Sequence, residues 1–209
     1  MANRPAWTIR NGKVLCEEFE FQWNGGFAVT QKQKNIKALH QAILDTTGGR
    51  ALEISTKGLE EPGNSLSAFN LTLGSKYIEN IFQAAKQYEN GGPYLDLLDA
   101  GPKDAKRDPR HSSSGNLVAF VRDGDVWPLE PKTAFYDYIY VTAVCEKYGT
   151  QLDLSQYHWY TDIEFNPKRS SNCQARSAAI YKLIQSMDGF EVLASKEKWL
   201  RFHREVVVG

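Results

Sequence analysis

The sequence predicts an α+β domain, helix-rich with short antiparallel hairpins. Three observations carry that reading. Alternating apolar and polar segments flank Asn11-Gly12 and again Asp123-Gly124, the dipeptides that favour primed hairpin turns. Segments of helical period separate the two hairpins. No regular strand–helix–strand alternation runs through the chain, so nothing calls for a parallel sheet wound with helices.

AWTIRNGKVLCEEFEFQW forms the first hairpin pattern. Thr30 to about Asp45 reads as a helix, with Ile36, Leu39, Ile43 and Leu44 at helical spacing, Thr30 as the cap and Gly48-Gly49 as the stop. ALEIS is a predicted strand, residues 58–64 a turn-rich loop, and LSAFNLTL a second strand. IENIFQAAKQYENGG continues as one amphipathic helix, closed by Gly91-Gly92 as a C-cap. Pro102 suits the first position of the next helix. NLVAFVRDGDVWPL makes the second hairpin, and a long helix after Pro131 turns Phe135, Tyr138, Ile139, Thr142 and Cys145 to the core. Thr161–Phe165, TDIEF, reads as a strand, and SNCQARSAAIYKLIQSMDG as a helix capped near Ser170 and stopped by Gly189. The last twenty residues have no clear pattern.

A length of 209 residues suits a single domain spanning 1–209. Hydrophobic and charged fractions of 42% and 24% are those of a soluble globular protein. Twenty-five basic residues balance 25 acidic ones, so no global field draws the chain to nucleic acid or membrane. Basic residues cluster locally, at Lys32, Lys34 and Lys37, at Lys103, Lys106, Arg107 and Arg110, and at Lys168, Arg169 and Arg176. Such runs are ordinarily solvated faces. Three widely spaced cysteines (Cys16, Cys145, Cys173) fit reduced thiols in a cytoplasmic protein, and four scattered histidines suggest no metal site. MANRPAWTIR lacks a signal-peptide core, and no apolar run is long enough to span a bilayer.

Two constellations could carry chemistry. Wound as a helix, Glu79, Gln83 and Lys86 share a narrow stripe beside the apolar face of Ile78, Ile81, Phe82 and Ala85. Spacing alone makes that stripe a solvated face; the alternative is an acid, an amide and an amine presented to a substrate. In a TDIEF strand, Asp162 and Glu164 point the same way, and two crowded carboxylates raise one another's pKa. The plain alternative is the wet face of an edge strand. Ser67 and Asn70 beside Phe69 suit a ribose or adenine as well as a strand end. Walker, GxGxxG and GxSxG fingerprints are missing.

The order of these pieces resembles the NADAR (NAD- and ADP-ribose-associated) domain: LSAFN, IENIFQAAK, GPKDAKR, Trp127, TDIEF and SNCQARSAAIY. The likeness covers roughly residues 50–185, leaving the first hairpin and helix as an N-terminal extension. The family pattern has Asn where this chain has Ala68, often His where it has Asn80, and a Trp-Gly pair that is missing after Glu164. Further stretches, among them FAVTQKQKNIKALHQAI, ENGGPYLDLL, WPLEPKTAFYDYIY and YTDIEFNP, are similar to the NADAR antitoxins encoded with DarT-type ADP-ribosyltransferase toxins.

That resemblance implies an ADP-ribosyl hydrolase that removes ADP-ribose from guanine bases of DNA. The partners implied are ADP-ribose, ADP-ribosylated single-stranded DNA and a DarT-type toxin, with no cofactor. Family relatives also act as N-glycosidases on small ribosylated metabolites, and a non-catalytic module that binds ADP-ribose or the toxin is a third reading. Glu79 and Glu164 would serve as acid and base, and Lys86 as an amine able to form a Schiff base with a ring-opened ribose. Lys57 is a second lysine of interest. Lys106 and Arg107 would meet the pyrophosphate and Trp127 would stack on a base. Ser67, Phe69, Asn70, Gln83, Asp162, Asn172 and Arg176 would line the ligand, and Lys32, Lys34 and Lys37 would follow the DNA backbone.

Overall fold

A computed structural model describes residues 1–168 and 170–207; Arg169, of the third basic cluster, lies outside them. Asn11 and Gly12 both take left-handed backbone, at φ 53° and 69°, as a type I′ turn requires. Strands β1 (Ala2–Arg10) and β2 (Lys13–Phe21) therefore pair antiparallel along their whole length. Helix α1 (Val29–Thr47) follows and ends at Gly48 in αL, as predicted, but its N-cap is Ala28 and not Thr30, with no side-chain cap. Strand β3 (Ala51–Glu53) matches ALEIS.

LSAFNLTL does not form the predicted strand. The amides of Asn70 and Leu71 both donate to the Ser67 carbonyl, winding the segment into a turn, and the Gln174 side chain takes the Ala68 amide. Only Thr72–Leu73 (β4) is extended, pairing with β5 (Lys76–Tyr77). Helix α2 is also shorter than predicted, spanning Ile78–Ala84. Its last carbonyls are captured from outside: Ala84 O accepts from Tyr94 N at 2.8 Å and Ala85 O from Val121 N at 2.7 Å. The chain then continues as β6 (Lys86–Tyr88), and the Gly91 carbonyl accepts from the Tyr88 amide in a turn instead of capping a helix.

A 3-10 turn (Leu95–Asp99) leads to α3 (Pro102–Lys106), which starts on Pro102 as expected, and to α4 (Arg110–Ser113). Strands β7 (Leu117–Arg122) and β8 (Asp125–Trp127) close the second hairpin on Asp123 and Gly124, both at positive φ. Helix α5 (Ala134–Tyr148) is buried almost all round. Phe135 and Ile139 are core as predicted, whereas Tyr138, Thr142 and Cys145 form its less buried stripe. Strand β9 (Trp159–Thr161) stops before Asp162, so Asp162–Phe165 is a turn and not a strand. Helix α6 (Gln174–Ser186) starts a turn later than the predicted cap at Ser170, and Cys173 precedes it without a side-chain cap. A 3-10 turn (Phe190–Ala194) precedes α7 (Lys196–Val206), whose N-cap Ser195 accepts from the Lys198 amide.

The main sheet runs β2-β1-β9-β3, with β9 antiparallel to β1 and parallel to β3; a second sheet runs β6-β7-β8. Alternation along β1 sends Ala6 to the face covered by α1, with Phe19, Phe21, Ile36, Leu39 and Trp159. Trp7 goes to the opposite face, into the larger core built on α5 and α6. The fold is the α+β arrangement that the sequence predicts. No helix among the described residues is long and apolar enough to cross a membrane, and no cluster of metal-ligating side chains occurs among them.

Candidate active site

Between the two sheets and α2 lies a cavity of about 900 Å³. The stripe of α2 faces it and is not a wet surface: Glu79 is 5% exposed and Gln83 4%. Early termination of the helix swings Lys86 onto β6, yet the three side chains still form one chain of hydrogen bonds. Gln83 Nε2 donates to Glu79 Oε1 at 2.8 Å, and Lys86 Nζ donates to Gln83 Oε1 at 2.6 Å. The Lys86 ammonium also sits 5.0 Å from the Phe82 ring centroid. Burial lowers its pKa to about 8; Glu79 pulls the other way, and Lys106 adds to the lowering. Lys106 itself lies 3.8 Å from Glu79 Oε1 and 5.7 Å from the centre of the Phe69 ring.

The turn after β9 supplies the facing wall. Glu53, fully buried beneath it, accepts from the Ile163 amide at 2.8 Å and from the Thr161 hydroxyl at 2.7 Å. Asp162 accepts from the Glu164 amide and from Gln174 Nε2, both at 3.0 Å. Burial, and then the Glu53 charge, push the Asp162 carboxyl well above the usual range. Crowding of carboxylates is therefore present as the sequence suggests, but Glu53 is the stronger partner, and Glu164 adds a smaller push in the same direction. Glu164 instead pairs with Lys32 of α1.

Ser67, Phe69, Lys106 and Asn172 join Glu79, Gln83, Lys86, Asp162 and Glu164 in the wall. Five expected residues do not line it. Trp127 is buried in the main core, 4.6 Å from the Tyr138 ring and 5.4 Å from that of Phe135, so neither face is open to a ligand. Arg107 caps α3, one residue past Lys106 and so turned away from it. Lys57 Nζ donates to Thr56 Oγ1, and Asn70 Nδ2 to the carbonyl and side chain of Asn64.

Arg176, the fifth, belongs to a buried node. Asp137 is fully buried and accepts from Arg176 and His203, from the Ser177 hydroxyl, and from Thr133 Oγ1 at 2.9 Å. Arg176 Nη1 donates in turn to the Ser171 carbonyl at 2.9 Å. Thr133 and Ser171 both line the cavity, so this node ties down two of its loops from behind. Burial opposes ionisation of Asp137, but the Arg176 charge and the hydrogen bonds of His203 and Ser177 outweigh it and hold the pKa at about 2.

Sequence reasoning missed several wall residues. Gln174, quoted only as part of a helix, bridges Asp162 and the Ala68 amide and so joins two walls. Tyr136 packs edge-on against Phe82 at 5.3 Å, and burial raises its phenol pKa far enough to keep it a proton donor. Arg4 reaches the cavity from β1, outside the resembling stretch. Of these only Tyr136 has a local signal, as a polar aromatic between two core positions of a predicted helix.

Residues 2–208 match the sequence profile of a family described as the DarT1-associated NADAR antitoxin. No curated protein matches the chain. The match extends beyond both ends of residues 50–185 and takes in β1 and α7, which contribute to the cavity wall and to the node behind it. The chain belongs to the DarT1-associated NADAR antitoxin family.

Proposed function

We propose that this antitoxin is an N-glycosidic hydrolase that removes ADP-ribose from guanine bases of single-stranded DNA, with Lys86 as its nucleophile. The observation that carries the reading is a half-buried lysine at about pKa 8, hydrogen-bonded through Gln83 to a buried carboxylate. With that pKa, roughly a tenth of the amine is neutral at pH 7, against a negligible fraction for an ordinary lysine. A neutral amine beside a carboxylate is the equipment for imine exchange.

The ribose attached to guanine opens its ring, leaving an imine between C1 and the exocyclic nitrogen of the base. Lys86 Nζ adds to C1. The bond from C1 to the guanine nitrogen then breaks, and that nitrogen takes up a proton as it leaves. Glu79, at the other end of the Gln83 bridge, would move that proton. Water adds to the remaining lysine imine, releasing ADP-ribose as the aldehyde and restoring the amine. Lys106 would meet the pyrophosphate, Tyr136 a ribose hydroxyl, and Glu164 would hold its place in the wall through Lys32.

The test is to mix the protein with single-stranded DNA bearing ADP-ribosylated guanine and follow both products by mass spectrometry. Free ADP-ribose and restored guanine are expected, and borohydride should trap an adduct on Lys86. Retention of the modified strand without release would make the chain a binding module. Neither release nor binding would leave the small-metabolite N-glycosidase.

A further inference from the structure

The segment between β2 and α1, residues 22–28, is held against the cavity wall at both ends. At its start Trp23 stacks under the Arg4 guanidinium, whose carbon is 4.9 Å from the ring centroid, and Arg4 lines the cavity. Beyond its end Lys32, in the first turn of α1, pairs with the wall residue Glu164. Asn24 is clamped to Asn35, its amide donating at 2.6 Å and its carbonyl accepting at 2.9 Å. Between these anchors the Phe27 side chain is 99% exposed.

The charge pattern here is one-sided. From Phe21 to Leu44 the chain has no Asp or Glu and carries Lys32, Lys34 and Lys37. Lys34 and Lys37 are exposed, and Arg4 Nε is buried without a hydrogen-bond partner among the described residues. An aromatic ring standing in water, in a stretch whose charged side chains are all lysines and of which only Lys32 is paired to a carboxylate among the described residues, suits a single-stranded nucleic acid. A base stacks on the ring while the lysines meet phosphates. A protein partner would cover Phe27 equally well but would give no reason for the missing acids.

We propose that Trp23, Phe27, Lys34 and Lys37, with Arg4 at the wall, form a platform for the nucleotides flanking the modified base. The platform holds the strand across the mouth while the ADP-ribosyl group enters the cavity. It rests on the hydrolase reading of that cavity.

Two measurements on the full chain separate the platform from the hydrolase. The first is fluorescence anisotropy of an unmodified, labelled oligothymidine of about 12 nucleotides. Phe27→Ala should weaken binding at least about fivefold, since one stacked base contributes that much. Lys34→Ala with Lys37→Ala should reduce the slope of log affinity against log salt by about 0.7 for each phosphate no longer neutralised. The second is the ratio of kcat/KM on an ADP-ribosylated oligonucleotide to that on ADP-ribosylated guanosine, which should fall at least about fivefold in Phe27→Ala. Unchanged anisotropy and an unchanged ratio in both variants overturn the platform. Unchanged DNA binding with loss of DarT1-type toxin capture also overturns it, in favour of a protein interface. Weakened anisotropy in variants of a protein that turns over neither substrate would uphold the platform and overturn the hydrolase.

Discussion

Lys86 is an amine on the first residue of a strand, and its chemistry follows from that position. Pairing of β6 with β7 fixes the backbone, while Phe82 and the cavity wall strip water from the ammonium. If the neutral amine is the nucleophile, single-turnover release of ADP-ribose should rise with pH and level off above about 8. Lys86→Arg keeps the positive charge but has no neutral form to attack, so it should lose activity as fully as Lys86→Ala. Were Lys86 only an electrostatic partner, Lys86→Arg would keep much of its rate. Glu79→Gln should slow release by roughly 10²–10⁴-fold with ligand affinity largely kept, measured by calorimetry with ADP-ribose. At this scale the sequence is informative about neighbours and misleading about setting. Helical spacing brings Glu79 and Gln83 together correctly, but it makes them a wet face, because no local pattern reports what the rest of the chain lays over a helix. Trp127 misleads for the same reason: one tryptophan between strands looks alike whether its ring meets a ligand or Phe135 and Tyr138.

The elements legible in the sequence are those with their own punctuation. Asn11-Gly12, Asp123-Gly124, Gly48 and Pro102 each act through backbone geometry within a few residues. The illegible ones are ended by distant partners. Helix α2 stops where Tyr94 and Val121 take its carbonyls, and β9 stops where Glu53 draws in the Ile163 amide. The Asp137 node is another such long-range device. Thr133, a β-branched residue at φ 74°, holds an unfavourable conformation that its bond to Asp137 helps secure. Asp137→Asn leaves Arg176 buried beside a neutral group and should cost about 3–5 kcal/mol in urea unfolding. A milder change, Arg176→Lys, should raise KM more than it lowers kcat by loosening the Ser171 loop. The sign of the pH effect is fixed by the lowered pKa of Asp137. Its ionised form is favoured in the folded state, so its contribution is complete above 3.8 and is lost as pH falls through about 2. Acid unfolding of the wild type should therefore contain a component in that window, about 2 kcal/mol deep, that Asp137→Asn lacks.

At the scale of the whole molecule, the first hairpin reads locally as an extension, since its turn and the alternation beside it say nothing of what else it pairs with. Its place in the fold is interior. Strand β1 lies between β2 and β9 in the main sheet, Trp7 enters the larger core, Phe19 and Phe21 enter the smaller one, and Arg4 stands in the cavity wall. Non-local pairing of this kind leaves no periodic mark: the β1–β9 register joins Ala6 to Thr161 across most of the chain. A chain starting at residue 50 would expose the edge of β9 that β1 now occupies and would lose three buried aromatics, each worth about 3–5 kcal/mol. Together these match the roughly 5–15 kcal/mol typical of an entire domain, and the unpaired strand edge adds to the loss. The shortened chain should show no cooperative thermal transition by circular dichroism and no ADP-ribose binding. Supplying residues 1–49 as a separate chain should restore both in part, because β1 would re-enter the sheet between β9 and β2. A cooperative melt of residues 50–209 alone would instead make the hairpin a dispensable cover, linked to the cavity through Arg4.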